Sequence, residues 1–185
     1  TPGMLAAKGE NGKTLLHEIA QNGTGENLKT LLAVLKDSLH TDEFNALLTA
    51  ETTDGKTAFS LAAERTPGII GEMVLYVDDK ALFAVYQTAN PECKAAIKAA
   101  ILEKAKANIE AVNKRNPSAE EVRSFTEFFQ ACPADILTSS DNVEIANGTK
   151  NPLLHWAVQL SCNGKIDQTQ LHALLSRPDI TPELM

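Results

Sequence analysis

The sequence GKTLLHEIA, at residues 12–20, is the main evidence for the fold, because two similar segments follow further along the chain. The second copy reads GKTAFSLAA at residues 55–63, and the third reads NPLLHWAV at residues 151–158. Each copy follows a turn that contains Gly or Asn and opens a short apolar helix, after which a second apolar helix comes. One supersecondary unit that recurs along a chain predicts a stack of helix pairs, a solenoid.

Composition and charge restrict the classes of protein to which the chain can belong. Apolar residues make up 43% of the 185 positions, as in ordinary folded domains, and no stretch alternates apolar and polar residues as a half-buried strand would. We therefore expect an almost all-α chain. The formal net charge of -7 argues against a nucleic-acid binder, because such proteins need clustered Lys and Arg. The apolar segments are short and interrupted by charges, which predicts no membrane insertion.

The cysteines bear on the compartment. Cys93, Cys132 and Cys162 are widely spaced and odd in number, and no Cys-x-x-Cys pair occurs. This pattern indicates free thiols in a reducing compartment, so we expect a cytoplasmic protein. We also expect a monomer that binds no metal and no cofactor.

The two copies in residues 1–77 predict two helix-pair units. The inner helices are expected at residues 14–21 and 57–64, each followed by an outer apolar helix. The outer helix of the first unit is predicted by the helical spacing of Leu28, Leu31, Leu32 and Leu35. Asp42 is predicted to be the N-cap of an extra helical turn or two between the units. Residues 66–68 (TPG) are expected to form the turn inside the second unit.

The remaining parts are residues 78–137, which carry no copy, and residues 138–185, which contain the last unit. Residues 78–137 predict three helices, which form either a helical insertion or two degenerate repeats. The predicted caps of these helices are Asp78 or Asp79, then Asn90 before Pro91, then Ser118 in a capping box with Glu121. The second of these helices carries an apolar stripe made of Ile97, Ile101, Ala105, Ile109 and Val112. Because these faces need partners, we expect the three parts to form one continuous structure.

The three copies resemble the start of the ankyrin repeat, whose pattern is G-x-T-P-L-H-x-A-A. The matching positions are Thr14, Leu16, His17 and Ala20 in the first copy, Gly55, Thr57, Ala62 and Ala63 in the second, and Pro152 or Leu153, Leu154, His155 and Ala157 in the third. Ser60 replaces the His, Phe59 replaces the Leu, and Lys150 stands where the Gly would be. The resemblance implies an all-α, ankyrin-like helix-pair solenoid with inserted or degenerate helices in the middle. Such degenerate repeats are similar to those of effectors that intracellular bacteria secrete, which implies the host-cell cytosol as one location.

The resemblance also implies a function, the recognition of a protein partner through a concave face and its loop tips. Carried onto this chain, the partner-contacting positions are Lys13, Glu18, Gln21, Asn22, Lys56, Leu61, Glu64, Arg65, Asn151, Trp156 and Gln159. For four other positions the resemblance implies hydrogen bonds that order the loops, and these are Thr14, His17, Thr57 and His155. It places Leu16 and Leu154 at the same inward position.

Trp156, the single Trp of the chain, leaves two interpretations open. In the family its position points toward the concave face, where an exposed Trp would be an interface hot spot. Alternatively, the inserted helices cover it, for example through Phe125, Phe128 or Phe129.

The sequence gives no sign of an enzyme in this segment. No HExxH, GxxxxGK[ST] or GxSxG motif occurs. Cys162 and His172 could face each other, but a catalytic pair is not expected. One alternative is that the chain is the targeting portion of a larger host-modifying enzyme, whose catalytic domain lies outside it. A second is an all-helical domain that only mimics the repeat, in which the three phrase helices would not share one orientation.

Overall fold

The computed structural model describes residues 7–65, 69–74 and 76–180, and it is helical over most of this range. Its eleven α-helices in the described residues are α1 (Leu15–Asn22), α2 (Gly25–Ser38), α3 (Thr41–Thr49), α4 (Ala58–Arg65), α5 (Ile69–Met73), α6 (Asp79–Thr88), α7 (Pro91–Val112), α8 (Ala119–Ala131), α9 (Ala134–Leu137), α10 (Leu153–Cys162) and α11 (Gln168–Leu175). A 3-10 turn, Glu10–Gly12, precedes them, and the strands β1 (Asn142–Glu144) and β2 (Lys150–Pro152) form an antiparallel hairpin. The expectation of an almost all-α chain is confirmed.

The chain forms two compact units, residues 1–100 and residues 101–185, and α7 contributes residues to both. In the first unit, α1 pairs with α2, and α4 pairs with α5. The two pairs also lie against each other, because α1 packs on α4 and α2 packs on α5. Helix α3 packs on α2, α4 and α6, so it is part of the same core.

The leucines of α2 confirm the predicted outer helix, since Leu28, Leu31, Leu32 and Leu35 are all buried. The cap proposed for the following helix is wrong. Helix α3 has His40 as its N-cap, and the backbone N–H of His40 donates to Glu43 Oε2 at 3.3 Å. The helix therefore begins two residues earlier than a cap at Asp42 would set it. Residues 66–68, predicted to form a turn, lie outside the described residues.

The predicted caps of the later helices are present. Asp78 accepts a hydrogen bond from the backbone of Ala81 at 2.8 Å, and Asn90 accepts one from the backbone of Cys93 at 2.8 Å. Ser118 and Glu121 form the expected capping box at the start of α8. The apolar stripe predicted on α7 is fully buried.

The second unit is held by both apolar packing and long polar side chains. Helix α10 packs on α9, α11 and β2, and α11 packs on α8. The rings of Phe125 and Phe129 stack with centroids 4.2 Å apart. Arg177 Nη1 donates to the carbonyl oxygens of Phe129 and Cys132, at 3.0 and 2.8 Å, and so satisfies carbonyls at the end of α8.

Candidate partner-binding surface

The same five-residue turn includes the first two residues of the phrase in the first two copies and lies just before the third copy. In all three turns the backbone N–H of the first residue donates to the carbonyl oxygen of the fifth residue. The backbone N–H of the fourth residue donates to the carbonyl oxygen of the first. The turns span residues 9–13, 52–56 and 145–149, with first-to-fifth distances of 2.7, 3.0 and 3.1 Å. The fourth residue is Gly12, Gly55 or Gly148, with φ of 71°, 71° and 81°. Such a φ favours Gly, which explains the recurring residue.

The third turn corrects the alignment of the third copy. Lys150 does not take the place of the turn glycine, because that residue is Gly148. Two extra residues separate the third turn from its helix and extend the turn into the β1–β2 hairpin. An insertion of two residues preserves which face of a strand each side chain occupies, because the side-chain period of a strand is two.

A side-chain pair spans the same positions in each copy. Lys13 Nζ donates to Gln21 Oε1 at 2.5 Å, and Lys56 Nζ donates to Glu64 Oε1 at 2.8 Å. In the third copy Asn151 Nδ2 donates to Gln159 Oε1 at 2.8 Å. Each pair joins the residue before the N-cap to a residue eight positions later, and we name these pairs the turn–helix ties. All six residues were predicted to contact a partner.

Further polar contacts connect the first two ties in the first unit. Asn22 Nδ2 donates to Glu18 Oε2 at 3.1 Å, and Lys13 Nζ lies 3.7 Å from Glu18 Oε1. Arg65 Nη1 reaches from α4 to the carbonyl oxygen of Gln21 on α1, at 2.8 Å. The two turns are themselves joined, since the N–H of Thr53 donates to the carbonyl of Asn11 at 2.9 Å. The connected side chains form what we name the polar strip: Lys13, Glu18, Gln21, Asn22, Lys56, Glu64 and Arg65.

Two of the predicted contact residues are not on any surface. Leu61 is 6% exposed and Trp156 is 1% exposed, so neither side chain can reach a partner in this structure. Trp156 Nε1 donates to the carbonyl oxygen of Val143 in β1 at 3.0 Å. The indole is therefore covered, and its polar atom is satisfied by the hairpin that precedes its own helix.

The His position of the phrase, which is His17, Ser60 or His155, has a different environment in each copy. His17 is buried, and the backbone N–H of Thr14 donates to its Nδ1 at 3.2 Å, while Nε2 lies 3.0 Å from the carbonyl oxygen of Ala50. Because Nδ1 accepts this hydrogen bond, the proton of the neutral ring lies on Nε2, which donates to the carbonyl of Ala50. Both ring nitrogens therefore have a hydrogen-bond partner. Burial lowers the pKa of His17. Ser60 fills the equivalent site in α4, where Thr57 Oγ1 accepts from its backbone N–H at 3.2 Å.

The third copy departs from the first in register. His155 is exposed, so the loop-ordering role expected for it is not what this structure shows. Leu153 is fully buried, whereas Leu154 is only partly buried, so the inward position assigned to Leu154 is wrong.

Three features of the described residues bear on chemistry other than protein binding: metal-ligating groups, the cysteines and the hydropathy of the helices. Among the described residues, no group of three or more His, Cys, Asp or Glu could hold a metal ion. Burial raises the pKa of Cys93 to about 11, which keeps this thiol protonated, and the exposed Cys162 is not paired with His172, whose Nδ1 lies 3.2 Å from Ser176 Oγ. No described helix is both long and apolar enough to cross a membrane.

Comparisons with known proteins give no assignment: the chain matches no family model, no curated protein and no solved structure.

Proposed function

We propose that this chain is a protein-interaction module of the ankyrin-like solenoid type, and that its polar strip contacts a protein partner. The observation that carries the proposal is the recurrence, in all three copies, of one turn geometry and one turn–helix tie. A sequence can keep a helix without either feature. Their repetition is what a scaffold that presents equivalent side chains from successive units would need.

The strip has the properties of a recognition surface. Its side chains come from the turn and the end of the inner helix in two adjacent copies, and most of them are exposed. The ties and the contact between Arg65 and Gln21 fix several long side chains before any partner binds. Fixing these side chains in advance lowers the entropy that binding would otherwise cost, about 0.5–1.5 kcal/mol for each ordered side chain.

The third tie extends the proposal to the second unit. Asn151 and Gln159 present uncharged amides at the positions where the first unit has Lys56 and Glu64. Different side chains at one repeated eight-residue spacing are what partner specificity requires. The likeness to secreted bacterial effectors stays a prediction from the sequence.

The proposal is tested with the full chain as bait and two triple variants of equal charge change. The strip variant combines Glu18→Ala, Lys56→Ala and Glu64→Ala. The control variant combines Lys80→Ala, Glu103→Ala and Glu127→Ala, which are exposed and lie off the strip. Proteins captured by the wild type are purified, and their affinities for the three baits are measured by calorimetry.

We expect a partner whose affinity falls at least about tenfold with the strip variant and stays within about twofold with the control. Circular dichroism checks that both variants stay helical. Captured proteins that bind the wild type and the strip variant equally well would exclude the strip as the interface.

A further inference from the structure

Four Asn-Gly dipeptides occur in the chain, at residues 11–12, 22–23, 147–148 and 163–164. Each lies in a turn or at the end of a helix. In such a dipeptide the asparagine amide can react with the backbone nitrogen of the glycine, because glycine has no side chain that hinders the approach. Of the four asparagines the polar strip contains Asn22, and the function proposed above does not explain the others.

The four sites differ in how firmly the backbone nitrogen of the glycine is held. A nitrogen whose N–H donates a hydrogen bond has to lose that bond before it can attack. The N–H groups of Gly23, Gly148 and Gly164 donate to backbone carbonyls at 2.8, 2.9 and 2.9 Å. The N–H of Gly12 lies 3.3 Å from the carbonyl oxygen of Gly9, beyond the range of about 2.7–3.2 Å that is usual for such bonds. The nitrogen of Gly12 is therefore the least restrained of the four.

The sites also differ in how the asparagine amide is held. Asn22 Nδ2 donates to Glu18 Oε2 at 3.1 Å, and Asn147 Oδ1 accepts the backbone N–H two residues later at 3.0 Å. Among the described residues, no hydrogen bond holds the side chain of Asn11 or of Asn163, and both residues are exposed. Asn11 is thus the one site of the four at which an unheld amide lies next to a weakly held nitrogen.

The turn at residues 9–13 needs the dipeptide that makes it reactive. Asn11 has a φ of 58° and Gly12 has a φ of 71°, and no other non-glycine residue in the described ranges has a positive φ. Two consecutive residues with positive φ form the kind of tight turn that favours Asn-Gly. The carbonyl oxygen of Asn11 also accepts the N–H of Thr53 at 2.9 Å, and this bond joins the first turn to the second.

We propose that Asn11 is a site of spontaneous deamidation, which converts it to isoaspartate. The Gly12 nitrogen loses its proton to hydroxide and attacks Cγ of Asn11, so that an N–Cγ bond closes a cyclic imide. The bond from Cγ to the amide nitrogen breaks, and that nitrogen takes up a proton and leaves as ammonia. Water then opens the imide. One water is consumed and one ammonia is released, and nothing is oxidised or reduced.

The isoaspartyl product changes the contact between the first two turns. When water attacks the main-chain carbonyl of residue 11, that carbonyl becomes a free carboxylate and the main chain continues through Cγ. The acceptor of the Thr53 N–H then lies on a side branch, and the main chain of the turn is longer by one atom. A negative charge also appears two positions before Lys13. The inference rests on the geometry of the turn and stands independently of the function of the polar strip.

The first experiment incubates the folded full chain at mildly alkaline pH and follows the four dipeptides by peptide mapping with mass spectrometry. We expect Asn11 to react at least about threefold faster than the other three asparagines, which is the effect of one weakened hydrogen bond. In urea the turns are absent, and the four sites should react at similar rates. The proposal is overturned by equal rates in the folded chain, or by an unmodified Asn11 once the chain in urea has reacted.

Two matched variants tie the reaction to residue 11. Asn11→Gly tolerates the positive φ and removes the amide, so the ammonia that the folded chain releases first should disappear. Asn163→Gly makes the same change at the dipeptide that follows α10, and it should leave the rate at Asn11 unchanged. If Asn11→Gly lowers the release of ammonia no more than Asn163→Gly does, Asn11 is not the preferred site.

Hydrogen exchange observed by NMR tests the changed contact between the turns. In the incubated chain the N–H of Thr53 should exchange at least about threefold faster than in the fresh chain, because its acceptor has moved. Asn11→Asp adds the same charge with the ordinary main chain, and it should leave this exchange near the fresh value. Equal exchange of Thr53 in the incubated chain and in Asn11→Asp would show that the product is aspartate, which overturns the rerouted main chain.

Discussion

Helices α1 and α10 start with the same three residues, Leu-Leu-His, yet they turn different sides toward their cores. In α1 the first Leu is exposed, the second Leu is buried and His17 is buried. In α10 the first Leu is buried, the second is partly buried and His155 is exposed. The residue after the His is the exposed Glu18 in α1 and the buried Trp156 in α10. The pattern is displaced by about one residue, which is a rotation of roughly 100° about the helix axis.

The phrase therefore specifies a helix but not the side of the helix that faces the core. In α1, Thr14 is the N-cap, and its backbone N–H and its hydroxyl both contact the ring of His17. These contacts keep both side chains on the buried side of the helix. In α10 the N-cap is Pro152, which has no side chain that can accept a hydrogen bond. The buried residues there are Leu153, Trp156, Ala157 and Leu160, which have the i, i+3, i+4, i+7 spacing of one helical face.

The largest expected effect compares the residues that follow the two histidines. Trp156→Ala should lower the free energy of unfolding by about 3–5 kcal/mol, because it empties a fully buried site and leaves the carbonyl of Val143 without its donor. Glu18→Ala, at the matching position of α1, should change it by less than about 0.5 kcal/mol. Urea denaturation measures both. If Trp156→Ala lowers the free energy of unfolding only slightly, the indole is exposed and the interpretation of Trp156 as an interface residue holds instead.

The next test asks which of the two leucines at the start of α10 faces the core. Leu16→Ala and Leu153→Ala should each cost about 2–5 kcal/mol, since both side chains are fully buried. Leu154→Ala should cost clearly less than Leu153→Ala, since its side chain is only partly buried. Chemical denaturation of the three single variants gives the order. The reverse order of the two adjacent leucines would show that α10 has the same orientation as α1.

The burial of His17 makes the free energy of unfolding depend on pH. Because the pKa of His17 is lower in the folded chain than its usual value of 6.5, the unfolded chain takes up the proton first as the pH falls. The contribution of the neutral ring is therefore complete above about pH 6.5 and is lost as the pH decreases below it. Denaturation between pH 8 and pH 5 should show this loss in the wild type. The slope should shrink in His17→Gln, and an unchanged slope in this variant would contradict the assignment.

The smallest effect concerns the turn–helix ties. Lys56→Ala and Asn151→Ala should each cost about 0–1 kcal/mol, because both ties lie near the surface. Salt should distinguish them, since screening acts on the Lys56–Glu64 ion pair and not on the pair of amides. Thermal unfolding at low and high ionic strength measures the two effects. Equal salt sensitivity of the two variants would mean that the Lys56 tie does not act as an ion pair.

The sequence predicted most of the helices of this chain and where they start. Helical spacing predicted the buried faces of α2 and α7, and cap residues predicted the starts of α6, α7 and α8, because both signals depend on residues within one or two turns. The residues of the ties were placed by the resemblance to the ankyrin repeat, and only as separate partner-contacting positions. Nothing in single-residue preference says that the residue before a cap will reach one eight positions later.

The tertiary structure decided which side of each helix is the inside. Trp156 is buried because a hairpin two residues longer than the other turns brings the carbonyl of Val143 to its indole nitrogen. The helical spacing of Leu153, Trp156, Ala157 and Leu160 would have predicted the side of α10 that faces the core. The match of Leu-Leu-His to the repeat pattern led instead to the wrong prediction that Leu154 faces inward. A local motif fixes backbone geometry through contacts a few residues apart, whereas burial is set by apolar area that distant segments cover. For this reason the local sequence determined where most helices form, whereas packing against distant segments determined which side of each helix stays exposed.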